Sequence, residues 1–187
     1  MDKNNNPNIE NYIKILSIFI DSSSITKLKQ VDGTFYLKKY SKLTIIENKD
    51  LENSFCILIY GAIRHYIINN NKTEQTLRFT LSGNMLCQYQ PAEYLCCISE
   101  CIILSIPNSV LEEIGEYVHL KTYTQNTIQE NLKFEINLLR TSPEERYKKL
   151  CEQYQYIFLL VPLKYIASFL GITPQALCRI RKRLLTS

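Results

Sequence analysis

The sequence predicts an α+β fold: an antiparallel β jelly roll, one long helix and a small all-α unit at the carboxyl end. Three features carry the prediction. Eight short runs rich in Ile, Leu, Tyr and Phe fall between Ile25 and Ile106, separated by turn signals. A proline-free stretch from Asn108 to Leu139 then takes up helical spacing. Past Pro143, three further helical stretches carry most of the chain's excess positive charge.

From the amino end, Ile9, Ile13, Leu16 and Ile20 recur at helical spacing and predict a helix over residues 8–20. The eight runs read as strands: ITKLKQV, TFYLKKY, LTIIE, FCILIY, IRHYII, QTLRFT, YLCCIS and CIILSIP, with turns at Asp32-Gly33 and Asn69-Asn70-Asn71. In the following stretch Leu111, Ile114, Val118, Ile128, Leu132 and Leu139 lie on a 3-4 ladder whose other rungs are Lys121, Gln125 and Glu135. A single helix of this length, roughly 45 Å at about 1.5 Å per residue, overruns a small barrel and suits pairing with a second copy. Thr141-Ser142-Pro143 reads as a break with Ser142 as helix cap and Pro143 in first helical position. The expected division is therefore a jelly roll with its amino-terminal helix over 1–107, a dimerisation helix over 108–141 and a small helical unit over 142–187.

Composition excludes several classes. At 187 residues, 45% hydrophobic and 21% charged, the chain is neither disordered nor repetitive. No apolar run approaches a membrane span, and the polar start lacks a signal-peptide core, so a cytoplasmic protein with no membrane partner is expected. Residues 140–187 hold nine Lys/Arg against three Asp/Glu, while the remainder holds 13 against 15, the distribution expected when one end meets a polyanion. No CxxC pair, nucleophile elbow, phosphate-binding glycine loop or paired-carboxylate motif occurs, and the two histidines, His65 and His119, are far apart. Neither an enzyme nor a metal or other cofactor is expected.

The most specific signal is LKYIASFLGITPQALCRIRKRL, Leu163 to Leu184. A helix-turn-helix needs a small residue at the helix crossing, a glycine in the turn and apolar residues beneath the second helix. Ala167, Gly171, Leu177 and Ile180 occupy those positions, and Thr173 with Pro174 starts the second helix. Its outer face then presents Gln175, Ala176, Cys178, Arg179, Lys182 and Arg183. Double-stranded DNA is the expected partner.

Taken with its element order, the chain resembles the CRP/FNR family of bacterial transcription regulators, whose barrel is the cyclic-nucleotide-binding type. FCILIYGAIRHYIINNNKTEQTLRFTLSGN is similar to the family's mid-barrel strands, SPEERYKKL to the start of its DNA-binding domain, and VPLKYIASFLGITPQALCRIRKRL to its helix-turn-helix. The resemblance implies a homodimeric regulator whose barrel senses a small molecule, with RNA polymerase as a further partner. It implies base reading by Gln175 and Arg179. Phosphate contacts are expected from Lys164, Ser168, Thr173, Lys182 and Arg183.

In members that bind cyclic AMP, the glycine matched by Gly83 precedes a glutamate for the ribose and, about nine residues on, an arginine for the phosphate. Here Asn84 follows Gly83 and QYQPAEYLCCISE holds no arginine. A buried phosphate would lack its cation, so cyclic-nucleotide binding is not expected. Arg64 and Arg78 join Gly83 and Asn84 as candidates for an effector pocket, although an exposed strand face explains the arginines equally. The wing that many members carry beyond the recognition helix is expected to be missing. Two alternatives remain: a ligand-binding or protein-interaction module that reuses the helix-turn-helix for protein contact, and a redox or metal sensor built on Cys87, Cys96, Cys97 and Cys101.

Overall fold

The computed structural model describes residues 9–31, 35–154 and 156–185, apart from the side chains of Ile9, Leu139 and Leu185. The Asp32-Gly33 turn and the Leu139 side chain therefore lie outside the described residues. A 3-10 turn (Ile9–Tyr12) leads into a single helical turn, α1 (Ile13–Leu16), shorter than the expected helix over 8–20. The run ITKLKQV, expected as a strand, is helical. Asp21 caps a helix there by accepting the Ser24 N–H at 2.7 Å, and α2 (Ser22–Leu28) turns Ile25 and Leu28 into the core.

Strands β1 (Tyr36–Tyr40), β2 (Ile45–Ile46), β3 (Ser54–Tyr60), β4 (Ala62–Ile68), β5 (Glu74–Leu81), β6 (Met85–Leu86), β7 (Tyr94–Cys97) and β8 (Cys101–Pro107) follow. They form two antiparallel four-stranded sheets, ordered β1-β8-β3-β6 and β2-β7-β4-β5. Alternation along the strands sorts the core into three layers. Leu58, Ile63, Leu86, Leu95, Cys97 and Ile103 meet between the sheets. Phe55, Ile57, Leu104 and Ile106, on the other side of the first sheet, are covered by Leu16, Phe19, Ile25 and Leu28. Ala62 and Phe79, on the other side of the second sheet, join Leu150, Ile157, Ile166, Leu170 and Leu177 from the carboxyl-terminal helices.

The expected single helix over 108–139 is two. α3 (Asn108–Ile114) ends where Gly115 adopts φ +83°, with the Glu116 N–H on the Leu111 carbonyl at 2.7 Å, and α4 (Tyr117–Leu139) starts afresh. A glycine in the left-handed region closes a helix, and the apolar ladder does not carry through it. Leu111 and Ile114, assigned above to a dimer seam, are consequently buried inside this chain's own core beside Leu120.

α5 (Pro143–Gln153) opens with the reciprocal cap that its sequence advertises. Ser142 Oγ accepts the Glu145 N–H at 3.2 Å while Glu145 Oε2 accepts the Ser142 N–H at 2.8 Å, with Pro143 in the first turn. A short α6 (Ile157–Leu160), not anticipated from the sequence, links it to α7 (Leu163–Phe169) and α8 (Pro174–Leu185).

Candidate nucleic-acid interface

α7 and α8 meet through side chains the sequence singled out. Ile166, Ala167, Leu170 and Leu177 are at most 1% exposed and Ile180 is buried. Gly171 makes the turn at φ +66°, a left-handed conformation that strains any other residue, while the nearest atom to a Cβ there, Arg146 Nη1, lies at an ordinary 3.4 Å. Thr173 Oγ1 accepts the Ala176 N–H at 3.1 Å and fixes where α8 begins. With that inner face sealed, Gln175, Cys178, Arg179 and Lys182 stand exposed on the opposite side.

The basic residues of this surface differ in their engagement. Glu144 pairs with Arg183 and with Lys148. Arg179 makes no ion pair among the described residues; it lines a groove of about 430 Å³ between α8 and the start of α5, with Glu144 and Ile172 also on its wall. Arg181 turns the other way, over the Phe158 ring at 4.8 Å. Lys164 is exposed and lies over the Tyr165 ring at 4.7 Å.

Two residues expected at phosphates make contacts within the chain. Arg183 is held by Glu144. Ser168 faces the barrel, where its hydroxyl accepts the Thr76 N–H at 3.0 Å from the edge strand β5. Spacing along the chain places Ser168 on α7. It carries no word of β5, whose Thr76 lies 92 residues away in sequence.

The expected effector residues also part company. Residues of β4 and β5 pair Tyr66 with Thr76 but His65 with Arg78, so one residue of β5, Leu77, is extra. Such a bulge reverses the alternation. Thr76 therefore shares a face with Arg64 and Tyr66, towards α7, whereas Arg78 shares the opposite face with His65. Arg64 is 3% exposed, bonded by Nε to Thr76 Oγ1 at 2.8 Å and paired with Glu74. It is no part of an effector pocket.

Arg78 and Asn84 do line a cavity, of about 240 Å³, together with Thr80, Tyr89, Tyr123, Thr127, Asn131 and Tyr154. Gly83 sits in the turn just before it, its N–H on the Leu58 carbonyl at 2.7 Å. Beside the cavity runs a buried polar network that no sequence motif announced. His65 Nδ1 lies 2.8 Å from Glu93 Oε1 and its Nε2 lies 2.8 Å from Thr80 Oγ1. Arg78 pairs with Glu93, approaches Glu135 of α4 at 3.6 Å and lies over the Tyr89 ring.

Burial holds His65 below its ordinary value, against the pull of the Glu93 hydrogen bond. The ring is then neutral, donating from Nδ1 to the carboxylate and accepting from the Thr80 hydroxyl at Nε2. Burial opposes ionisation of Glu93, but the His65 hydrogen bond, Arg78 and the Tyr89 N–H together keep it below the usual carboxylate value. Burial raises Glu135, with Arg78 opposing. The cavity thus holds one cation already matched by carboxylates.

The cysteines are all free thiols, and Cys178 is the exposed one. Cys97 and Cys101 are buried in the inter-sheet layer; the hydrogen bond from the Cys97 thiol, against burial, lowers Cys101 from its ordinary value. Among the described residues no three His, Cys, Asp or Glu side chains are grouped to hold a metal ion, and no helix is long and apolar enough to cross a membrane.

The sequence matches no protein-family model and no curated protein. Solved structures do match. FixK2 from Bradyrhizobium japonicum superposes with a TM-score of 0.63 at 18% identity, over 81% of this chain and 85% of that one. A mutant of CooA from Carboxydothermus hydrogenoformans gives 0.63 at 18% over 92% and 84%. A cyclic nucleotide-binding domain containing protein from Listeria monocytogenes gives 0.66 at 15% over 86% and 88%. This chain has their fold. Its antiparallel sheets and flanking helices are the architecture that the sequence resemblance implied.

Proposed function

We propose that this chain is a homodimeric DNA-binding transcription regulator that reads the major groove with α8 and does not answer to cyclic nucleotides. The observation that carries the reading is the α8 face: Gln175 and Arg179 exposed one turn apart above a fully sealed α7–α8 core, with Arg179 in no ion pair among the described residues. Arginine grips guanine O6 and N7, and glutamine grips adenine N6 and N7, so the pair suits base edges. Lys164, Lys182 and the exposed Thr173 are assigned to phosphates. Residues 142–187 form the reading unit and residues 1–107 the sensor, with the cavity beside Arg78 and Asn84 as its effector site. Cyclic nucleotides are excluded because Arg78, the cation that lines the cavity, is already matched to Glu93, while Arg64 turns to the other face and pairs with Glu74.

A mobility-shift titration against salt, with the duplex selected by the protein from a random pool, tests the reading. Arg179→Ala is expected to cost roughly 1 to 3 kcal/mol on the selected duplex with little change on random DNA. Lys182→Ala should weaken both and flatten the salt dependence by about one unit of slope. Uniform weakening by Arg179→Ala together with a lower melting temperature would overturn the assignment of base reading. Binding that ignores salt would favour the alternative, in which the helix-turn-helix contacts protein.

A further inference from the structure

The helix-turn-helix does not hang from a linker; it sits on the second sheet. Apolar contact alone, between Ala62 and Phe79 on one side and Leu150, Ile157 and Ile166 on the other, would hold it there without fixing its register. Directional contacts gather at one place. The Arg64 guanidinium is sandwiched, 4.5 Å from the Tyr66 ring centre and 4.2 Å from that of Tyr165 on α7. Tyr66 in turn stacks on Tyr94 of β7 at 5.2 Å. A single column thus runs Tyr94, Tyr66, Arg64, Tyr165 from the sheet into the first helix of the helix-turn-helix.

We propose that Arg64 is a positioning residue whose column with Tyr66 and Tyr165 latches the helix-turn-helix to the edge of its own barrel and sets the orientation in which α8 meets DNA. Three details support it. Glu74 and Thr76, both on β5, clamp the guanidinium in its plane, leaving each of its faces for a tyrosine. The same Thr76 donates its N–H to Ser168 Oγ, one turn along α7 from Tyr165, so the open edge of the sheet is closed by α7 itself. Finally, the latched face of α7 is opposite in purpose to α8: latching leaves Gln175, Cys178, Arg179 and Lys182 exposed. The latched form is the one competent for DNA, because two recognition helices must be held at a fixed separation to meet two half-sites.

The part of this proposal that concerns DNA rests on the reading above; the latch itself does not. Hydrogen exchange at the Thr76 amide reports the latch directly, since its acceptor is on α7, and Ser168→Ala sets the fully released rate. Tyr165→Ala and Arg64→Lys are expected to speed Thr76 exchange by about tenfold or more, with the Leu104 amide in the other sheet unchanged. Tyr165→Phe, which keeps the ring, should stay near wild type. On the duplex chosen by the wild type, the two released variants should bind the paired half-sites about tenfold more weakly and a single half-site equally well. Unchanged Thr76 exchange in Tyr165→Ala overturns the latch, and so does faster exchange with equal or tighter binding to paired half-sites. Should Arg64→Lys also lose protection at Leu104, Tyr165→Ala, whose ring lies outside both sheets, decides alone. Should the wild type select no duplex, the DNA reading fails while Thr76 exchange still decides the latch.

Discussion

His65 is the residue whose chemistry shows most clearly how burial overrides ordinary behaviour. Its folded value is depressed from 6.5 by burial, against the Glu93 hydrogen bond. Below about pH 6.5 the unfolded chain therefore takes up a proton that the folded chain refuses, and stability must fall with acidification. The slope has a ceiling of about 1.4 kcal/mol per pH unit for each such proton. Glu93, also depressed, adds a second loss once the pH drops below 4.5, whereas Glu135, raised from the same value, acts in the opposite sense. Between pH 7.5 and 5.5 the histidine dominates. Urea titrations across that range should show the wild type losing stability and His65→Gln, which keeps a hydrogen-bonding side chain but cannot titrate, following a flatter line. Parallel lines would mean that His65 does not carry the effect.

At the scale of elements, local signals were legible and distant ones were not. The caps at Ser142 and Thr173 and the turn glycine Gly171 act within a few residues of themselves, so α5, α7 and α8 follow from the sequence. ITKLKQV has the length of the strands that follow it, but its apolar residues Ile25, Leu28 and Val31 fall three apart, a helical spacing, and Asp21 supplies the cap. Gly115 breaks an otherwise even ladder. The bulge at Leu77, which brings Thr76 onto the face of Arg64, has no sequence signature, nor has the contact of Ser168 with β5.

Correcting the ladder moves the proposed dimer seam. With Leu111 and Ile114 in the core and Glu135 turned to Arg78, the exposed apolar rungs of α4 are Val118, Leu132 and Ile136, at 73%, 42% and 53%, with Ile128 half-buried between them. Ile136, one residue off a ladder drawn through Glu135, extends the stripe by a turn. Replacing Ile128 and Leu132 with glutamate should leave monomers in sedimentation without lowering the melting of the barrel, because neither side chain belongs to its core clusters. A wild type that sediments as a monomer at tens of micromolar, roughly the upper working range, would remove the symmetric reading of DNA.

For the whole molecule, the layered core makes a thermodynamic claim. The barrel and the carboxyl-terminal helices are separable in sequence at the Thr141-Ser142 break, and separable units joined by a linker melt separately. Here the third layer is shared: Ala62, Phe79 and Ile98 come from the barrel, and Leu150, Ile157, Val161, Ile166, Leu170 and Leu177 from the helices. Neither side can leave without exposing the other's apolar surface, at about 25 cal/mol for every Å² uncovered. The expected calorimetric trace is one transition whose van't Hoff and calorimetric enthalpies agree. Leu150→Ala, at a side chain 0% exposed, should cost about 2 to 5 kcal/mol and shift that single transition as a whole. Two resolved transitions, with Leu150→Ala moving only the lower, would show that the helices fold apart from the barrel, and the shared layer would then be a contact of convenience rather than part of the core.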